Sequence, residues 1–350
     1  MNRYFAILNT GSDEITAVAA RWTGSGDYLL EGFCRGASRG LRKGVVDDIT
    51  AAASAVHGVL NDLKERSGKK FSDVYASISS SSVRIASSRG MVVLSKYGRE
   101  INENDIKKCV QAGSTVKMPL DKEALHYIVS GFSVDGEKSV KNPLNLEGVK
   151  LNANMNIITI NSSALNNLAK CITMAGFSPA GFVFSGLATS YRVLDEEEKE
   201  EGTVLLDIGD DTVEALAFYR GILRGCRVFP IGLNEILLKG ENVDKSSIDD
   251  LVSQIVSLPG WDTTRKVVVT GNGAMVDRLV EVLEKSFKRP TEIGTFLVKP
   301  FEELPPERMR YLGNIGILDY LREKKLAERH SGNPTKRVFN KILAFIDRYF

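Results

Sequence analysis

The sequence is poor in the residues that metal, redox and disulfide chemistry need. Its four cysteines, Cys34, Cys109, Cys171 and Cys226, lie far apart and include no C-x-x-C pair. That spacing predicts neither a disulfide framework nor a zinc site, and reduced thiols are expected. Three histidines, His57, His126 and His330, are equally scattered, so no metal site is predicted. A net charge of +2 supplies no global field for a nucleic acid, and no nucleic-acid module is visible. No apolar run approaches the ~20 residues of a spanning helix. The opening MNRYFAILNTG lacks the basic region, long apolar core and cleavage site of a secretory signal. Any membrane contact is therefore expected to be peripheral. Against these absences stand 350 residues, 43% hydrophobic and 26% charged, enough for two or three domains with real cores.

Apolar patterning places strands at Tyr4–Leu8, Ile15–Arg21 and Tyr28–Cys34. Ile49, Ala53, Val56, Val59, Leu60 and Leu63 recur at helical spacing over Asp47–Lys64. Val74–Ile78 reads as a buried strand. Composition then changes to serine-rich, short-strand and alternating segments, with turns at Asp135-Gly136 and Asn142-Pro143. This predicts a small inserted α+β domain over 82–155. It divides a first lobe, 1–81 plus 156–200, and precedes a second lobe, 201–322. In the second lobe Thr203–Ile208, Val213–Phe218 and Gly225–Ile231 repeat the strand–turn–strand layout of the first, an internal duplication. Helices are predicted from Asn104 to about Val116, over Ser163–Ala175, over Met275–Phe287 and over Tyr311–Arg322. A polar linker, 323–333, and a separate terminal element, 334–350, follow.

Three glycine-bearing turns each follow a buried strand: Asn9-Thr10-Gly11-Ser12, Asp207-Ile208-Gly209-Asp210-Asp211-Thr212, and Thr270-Gly271-Asn272-Gly273-Ala274. Glycine lets backbone amides approach an anion such as a phosphate. With these turns on a duplicated sheet, the chain resembles the actin/Hsp70/sugar-kinase superfamily, and within it the bacterial cell-division FtsA family. The match is carried by Ser38-Arg39-Gly40-Leu41-Arg42-Lys43-Gly44-Val45-Val46-Asp47-Asp48-Ile49. It continues through Ser87-Ser88-Arg89-Gly90, Phe132-Ser133-Val134-Asp135-Gly136 and Leu187-Ala188-Thr189-Ser190. The resemblance is colinear over most of the chain. It implies an α/β, actin/Hsp70-like duplicated ribonuclease-H-like fold, with a small inserted α+β (SHS2) domain and a reduced second-lobe subdomain. It also implies a nucleotide site at Asn9, Gly11, Ser12, Asp207, Gly209, Thr212, Gly271, Gly273 and Ala274.

That site departs from the family pattern. Active relatives begin the first turn with an aspartate, where this chain has Asn9. The second turn has Asp210 and Asp211 in place of glycines, and the third has Asn272. Like charges ~4 Å apart oppose each other by about 1 kcal/mol in water and several at lower dielectric. The short stretch from Gly232 to Val267 leaves room for about one helix where FtsA relatives carry a subdomain that closes over the nucleotide. Hydrolysis is therefore expected to be lost, with no catalytic residues and no firm cofactor. ATP with magnesium is the ligand implied by the resemblance, its binding expected to be weak or absent. Solvent exposure or a cation is the other reading of the two carboxylates.

The terminal element opens at Pro334, a good first-turn residue. At ~100° per residue, Val338, Phe339, Ile342, Leu343, Phe345, Ile346, Tyr349 and Phe350 share one sector, with Lys336, Arg337, Lys341 and Arg348 opposite. Bulky apolar residues backed by cations describe an interfacial helix on anionic lipid. A stripe of this kind inside a domain would pack on a core. At the end of a polar linker, and matching the family's anchor, it predicts membrane targeting. The resemblance thus implies a non-enzymatic adaptor on the cytoplasmic face of the cell membrane, at the division site. Its partners would be the lipid surface, FtsZ or other division proteins, and further copies of itself. The alternatives are a working ATPase switch, or a scaffold like PilM of pilus and secretion systems.

Overall fold

In the computed structural model, residues 4–24, 26–237, 243–294 and 308–329 are described. The predicted lipid-facing residues from Lys336 to Phe350 lie outside them. The described residues form two compact units, one of those within 4–83 and 162–320, the other of 84–161 with 321–329.

In chain order the elements of the first unit begin with β1 (Tyr4–Thr10), β2 (Glu14–Trp22), β3 (Tyr28–Ala37), α1 (Ile49–Ser67) and β4 (Asp73–Ile78). Helix α1 starts where the Asp48 carboxylate accepts from the Thr50 and Ala51 amides. It ends at Gly68, whose φ of 64° suits the left-handed cap. Ala52, Val56, Val59, Leu60 and Leu63 form its buried stripe.

The second unit follows with β5 (Arg84–Val93), α2 (Glu103–Ser114), β6 (Lys122–Val134), β7 (Glu137–Val140) and β8 (Lys150–Asn161). Its sheet has the order β7-β6-β8-β5, antiparallel throughout. Helix α2 covers one face through Ile106, Cys109 and Val110, against Val129, Phe132, Leu151 and Met155. Asn102 caps it in a reciprocal box with Asp105, which also takes a bidentate pair from Arg99 at 2.6 Å. The helix sits unusually close to the sheet. A Cβ on Gly90 would lie 1.8 Å from the Cys109 carbonyl oxygen and 2.5 Å from the Gly113 amide.

The chain returns to the first unit with α3 (Ser162–Met174), β9 (Ser178–Phe184), α4 (Ser185–Val193), α5 (Glu196–Glu201) and β10 (Thr203–Ile208). Then come β11 (Val213–Tyr219), β12 (Ile222–Phe229), α6 (Leu233–Ile236), α7 (Lys245–Ile255), β13 (Lys266–Thr270), α8 (Leu279–Phe287), β14 (Thr291–Ile293) and α9 (Leu312–Arg329), of which residues up to Tyr320 belong to the first unit. Two five-stranded sheets result, ordered β3-β2-β1-β4-β9 and β12-β11-β10-β13-β14. Each has two antiparallel pairings followed by two parallel ones. The two sheets are thus copies of one topology. In the first copy the inserted unit and α3 separate the fourth and fifth strands. In the second copy a 3-10 turn at Asn272–Met275 and α8 fill that place. Between the third and fourth strands the first copy has α1. The second has, among the described residues, α6, α7 and a single 3-10 turn at Trp261–Thr263. The second-lobe subdomain is reduced to that.

Three boundaries differ from the sequence reading. Strand β8 runs unbroken to Asn161, paired on both sides with β6 and β5, so the inserted unit extends past 155. Helix α9 continues to Arg329, through the stretch read as linker from 323, because Glu, Lys, Leu and Ala are good helix formers. The helix read from Met275 begins at Leu279, because Asn272–Met275 forms a 3-10 turn and Arg278 sits at φ 66°.

Candidate functional site

The turns after β1, β10 and β13 converge on a cleft of about 170 Å³ within the first unit. That is several times the ~30 Å³ share of a liquid water. Asn9, Gly11, Ser12, Asp207, Gly209, Thr212 and Gly271 all line it. Gly273 and Ala274 do not. Gly273 packs against Ile208, where a Cβ would lie 2.5 Å from the Ile208 side chain, and Ala274 belongs to the core behind the cleft. Gly271 is needed for its backbone: its φ is 75°, and a Cβ there would sit 2.4 Å from Asp207 Oδ1.

The first turn is tied down by neutral groups. Ser77 Oγ donates to Asn9 Oδ1 at 2.7 Å, and the Thr10 amide donates to Ser77 Oγ. Asn314, fully buried in α9, clamps β1 and β2 together. It accepts from Thr16 Oγ1 at 2.7 Å and donates to the Ile7 and Thr16 carbonyls.

The second turn is acidic and already bonded. Asn272 Nδ2 donates to Asp210 at 2.9 and 3.2 Å, so side chains from two of the three turns are partners. Asp211 accepts from Asn234 Nδ2 at 2.9 Å. Lys43 reaches across to the Pro230 carbonyl at 3.0 Å and to Glu235 at 3.2 Å. Burial raises the Asp210 pKa, and the charges of Asp13 and Asp211 add to the rise.

Deeper in the cleft Asp207 and Glu214 stand opposite each other in the β10–β11 register. Thr189 Oγ1 donates to Asp207 Oδ2 at 3.0 Å, and the Ser185 hydroxyl donates to Glu214 Oε1. Burial raises the Asp207 pKa. Burial, then the Asp207 charge, pushes Glu214 up to about 7. Ser79 lies close enough to oppose that rise, yet Glu214 Oε2 and Ser79 Oγ meet no full hydrogen-bond geometry, and neither does Thr270 Oγ1.

The charged groups lining the cleft are thus Asp13, Glu14, Asp207, Asp210 and Glu214 against Arg310, which is itself bound to Glu14 at 3.2 Å. A polyphosphate entering here would meet carboxylates with no free cation among the lining residues. Among the described residues no group of three or more His, Cys, Asp or Glu side chains could hold a metal ion. Sequence reasoning missed Ser77, Ser185, Thr189 and Glu214. Of these, Glu214 left a signal as a lone carboxylate inside the otherwise apolar run Val213–Phe218, and Thr189 stood in the matched Leu187–Ser190 segment.

Comparisons agree with this architecture. Residues 80–159 match the family model of the SHS2 domain inserted in FtsA. The chain is 35% identical over 231 residues to the cell division protein FtsA of Borreliella burgdorferi, covering 66% of this chain and 56% of that protein. It is 29% identical over 229 residues to FtsA of Pseudomonas aeruginosa, covering 65% and 54%. The chain therefore spans about half the length of the curated relatives it matches. Among solved structures, the PilM–PilN type IV pilus biogenesis complex is similar with a TM-score of 0.58 at 14% identity, over 92% of this chain and 98% of that one. At that identity the likeness shows the fold alone.

Proposed function

From the premise that the chain is a divergent relative of the cell-division protein FtsA, with that family's SHS2 insertion on an actin-like fold, we propose that it is a non-enzymatic adaptor of bacterial division. The observation that carries the reading is the FtsA-type SHS2 domain at residues 80–159. In this reading the inserted unit contacts other division proteins, among them FtsZ. Residues 334–350 hold the body on the cytoplasmic face of the membrane. None of the described helices is long and apolar enough to cross a membrane, which is compatible with a peripheral attachment.

The proposal includes an idle cleft. A nucleotide site needs donors and cations aimed at phosphate oxygens. Here the amides of Asn272 and Asn234 are turned toward Asp210 and Asp211. The second-lobe crossover offers α6 and α7 as its wall. ATP with magnesium is accordingly proposed to bind weakly or not at all.

Fluorescent fusions of the full chain, with and without residues 334–350, test the reading in dividing cells. The full chain is expected at the septum, and the truncated chain diffuse in the cytoplasm. Septal recruitment that is unchanged without residues 334–350 would refute the anchor. Uniform distribution of the full chain would refute the division role.

A further inference from the structure

The structure assigns a proton to the Asp207–Glu214 pair: we infer that the two carboxyls share one proton in mildly acidic solution and release it as pH rises through neutrality. The argument is geometric. The two residues are direct cross-strand partners on β10 and β11, which sets their Cβ atoms about 5 Å apart. Glu214 is only 4% exposed. Among the described residues no cation reaches the pair: its hydrogen-bond donors are the hydroxyls of Thr189 and Ser185 on α4. The other charged groups lining the cleft are Asp13, Asp210 and Glu14, which are like-charged, and Arg310, which is held by Glu14. From the remaining elements around the cleft come neutral groups: Ser77 on β4 and Ser79 just after it, and Thr270 at the end of β13 with Asn272 beyond it. Two carboxylates that face each other without a cation, Glu214 buried and Asp207 half-buried, do not both ionise, and one keeps its proton. Glu214 Oε2, which meets no full hydrogen-bond geometry, is the atom with room for it.

The consequence concerns the contact between α4 and the second sheet, which runs through these two carboxyls. With one proton present, Ser185 and Thr189 bridge to a pair carrying a single charge. When the proton leaves, two adjacent charges oppose each other and the contact loosens. The folded protein binds this proton more tightly than the unfolded chain, in which a glutamate releases it near its ordinary value of 4.5. Stability from the pair is therefore complete below about pH 4.5, and it falls as pH rises through the folded value near 7. The inference does not depend on a role in division.

The test is thermal unfolding of the purified full chain across pH 5 to 8.5, for the natural protein and for E214Q and D210N. Glutamine imitates the protonated acid. The natural protein is expected to take up about one proton on folding between pH 5 and 7, to lose melting temperature as pH rises across that range, and to level off above it. E214Q is expected to lose that slope and to match or exceed the natural protein at pH 8.5. D210N removes the neighbouring raised carboxylate and is expected to keep the slope. If E214Q keeps the natural slope, or D210N abolishes it, the assignment is overturned. Should E214Q not fold, the infrared carboxyl band of the natural protein decides. A protonated-carboxyl band near neutrality that fades on alkalinisation, and that persists in D210N, supports the shared proton. Its absence overturns it.

Discussion

Glycine 90 provides a sharp test of how the inserted unit is built. Helix α2 lies against β5 so closely that the sheet has no room for a side chain there. In G90A the new methyl would stand 1.8 Å from the Cys109 carbonyl oxygen and 2.5 Å from the Gly113 amide. Both are backbone atoms, so no rotamer change relieves the clash. The helix must lift, and lifting it strips Ile106, Cys109 and Val110 from Leu151 and Met155. Overpacking of cores costs about 1–3 kcal/mol even where side chains can adjust, so G90A is expected to cost about 3 kcal/mol or more. Gly58 is the control. It sits in mid-helix on α1, and a methyl added there would meet nothing within 4 Å, so G58A is expected to stabilise by about 0.5–1 kcal/mol. Both tryptophans, Trp22 and Trp261, lie in the other unit, so hydrogen exchange over residues 84–161 is the readout for G90A, and tryptophan fluorescence in urea for G58A. Natural protection over 84–161 in G90A would refute the close helix–sheet contact.

Removing the Asn314 amide in N314A deletes its bonds to the Ile7 and Thr16 carbonyls and leaves the Thr16 hydroxyl without its Asn314 acceptor, all in a buried place. A loss of roughly 2–3 kcal/mol in urea unfolding is expected, and a loss below about 0.5 kcal/mol would contradict the clamp. The Arg99 guanidinium holds the Asp105 carboxyl below its ordinary value of 3.8. That stability is present above pH ~4 and is lost as pH falls through the lowered folded value, so acid unfolding of residues 84–161 should lose its steep limb in D105N. An unaltered acid limb in D105N would exclude the pair as its cause. For the anchor, F345E with I346E places two charges in the proposed lipid-facing sector. Sedimentation with anionic vesicles is expected to fall at least tenfold, and undiminished sedimentation would count against an interfacial helix.

Strand-turn-strand repetition was legible because buried β1, β2, β10 and β11 are continuous apolar runs ending at glycine turns. The inserted unit was legible as a change in composition, yet the serine-rich run hid the single long strand β5. Its Ser87-Ser88-Arg89 middle is polar because Arg89 and Ser87 pair across with Asn154 and Asn156, on the face that α2 does not cover. The chemistry of the cleft was less visible. Asp210 and Asn272 are 62 residues apart, and each looks like a flaw by itself. Only the fold shows that they bond to one another. The Asp207–Glu214 pair depends on the strand register, and the Asn314 clamp joins residues 298 positions apart, a separation no local pattern reports.

Isothermal titration of the full chain with magnesium-ATP tests the central claim most directly. A body whose phosphate turn is occupied by its own carboxylates and amides should give no saturable heat at micromolar ligand and release no phosphate. Micromolar binding at one site per chain, or phosphate release above the uncatalysed rate, would contradict the account of an idle actin-like cleft.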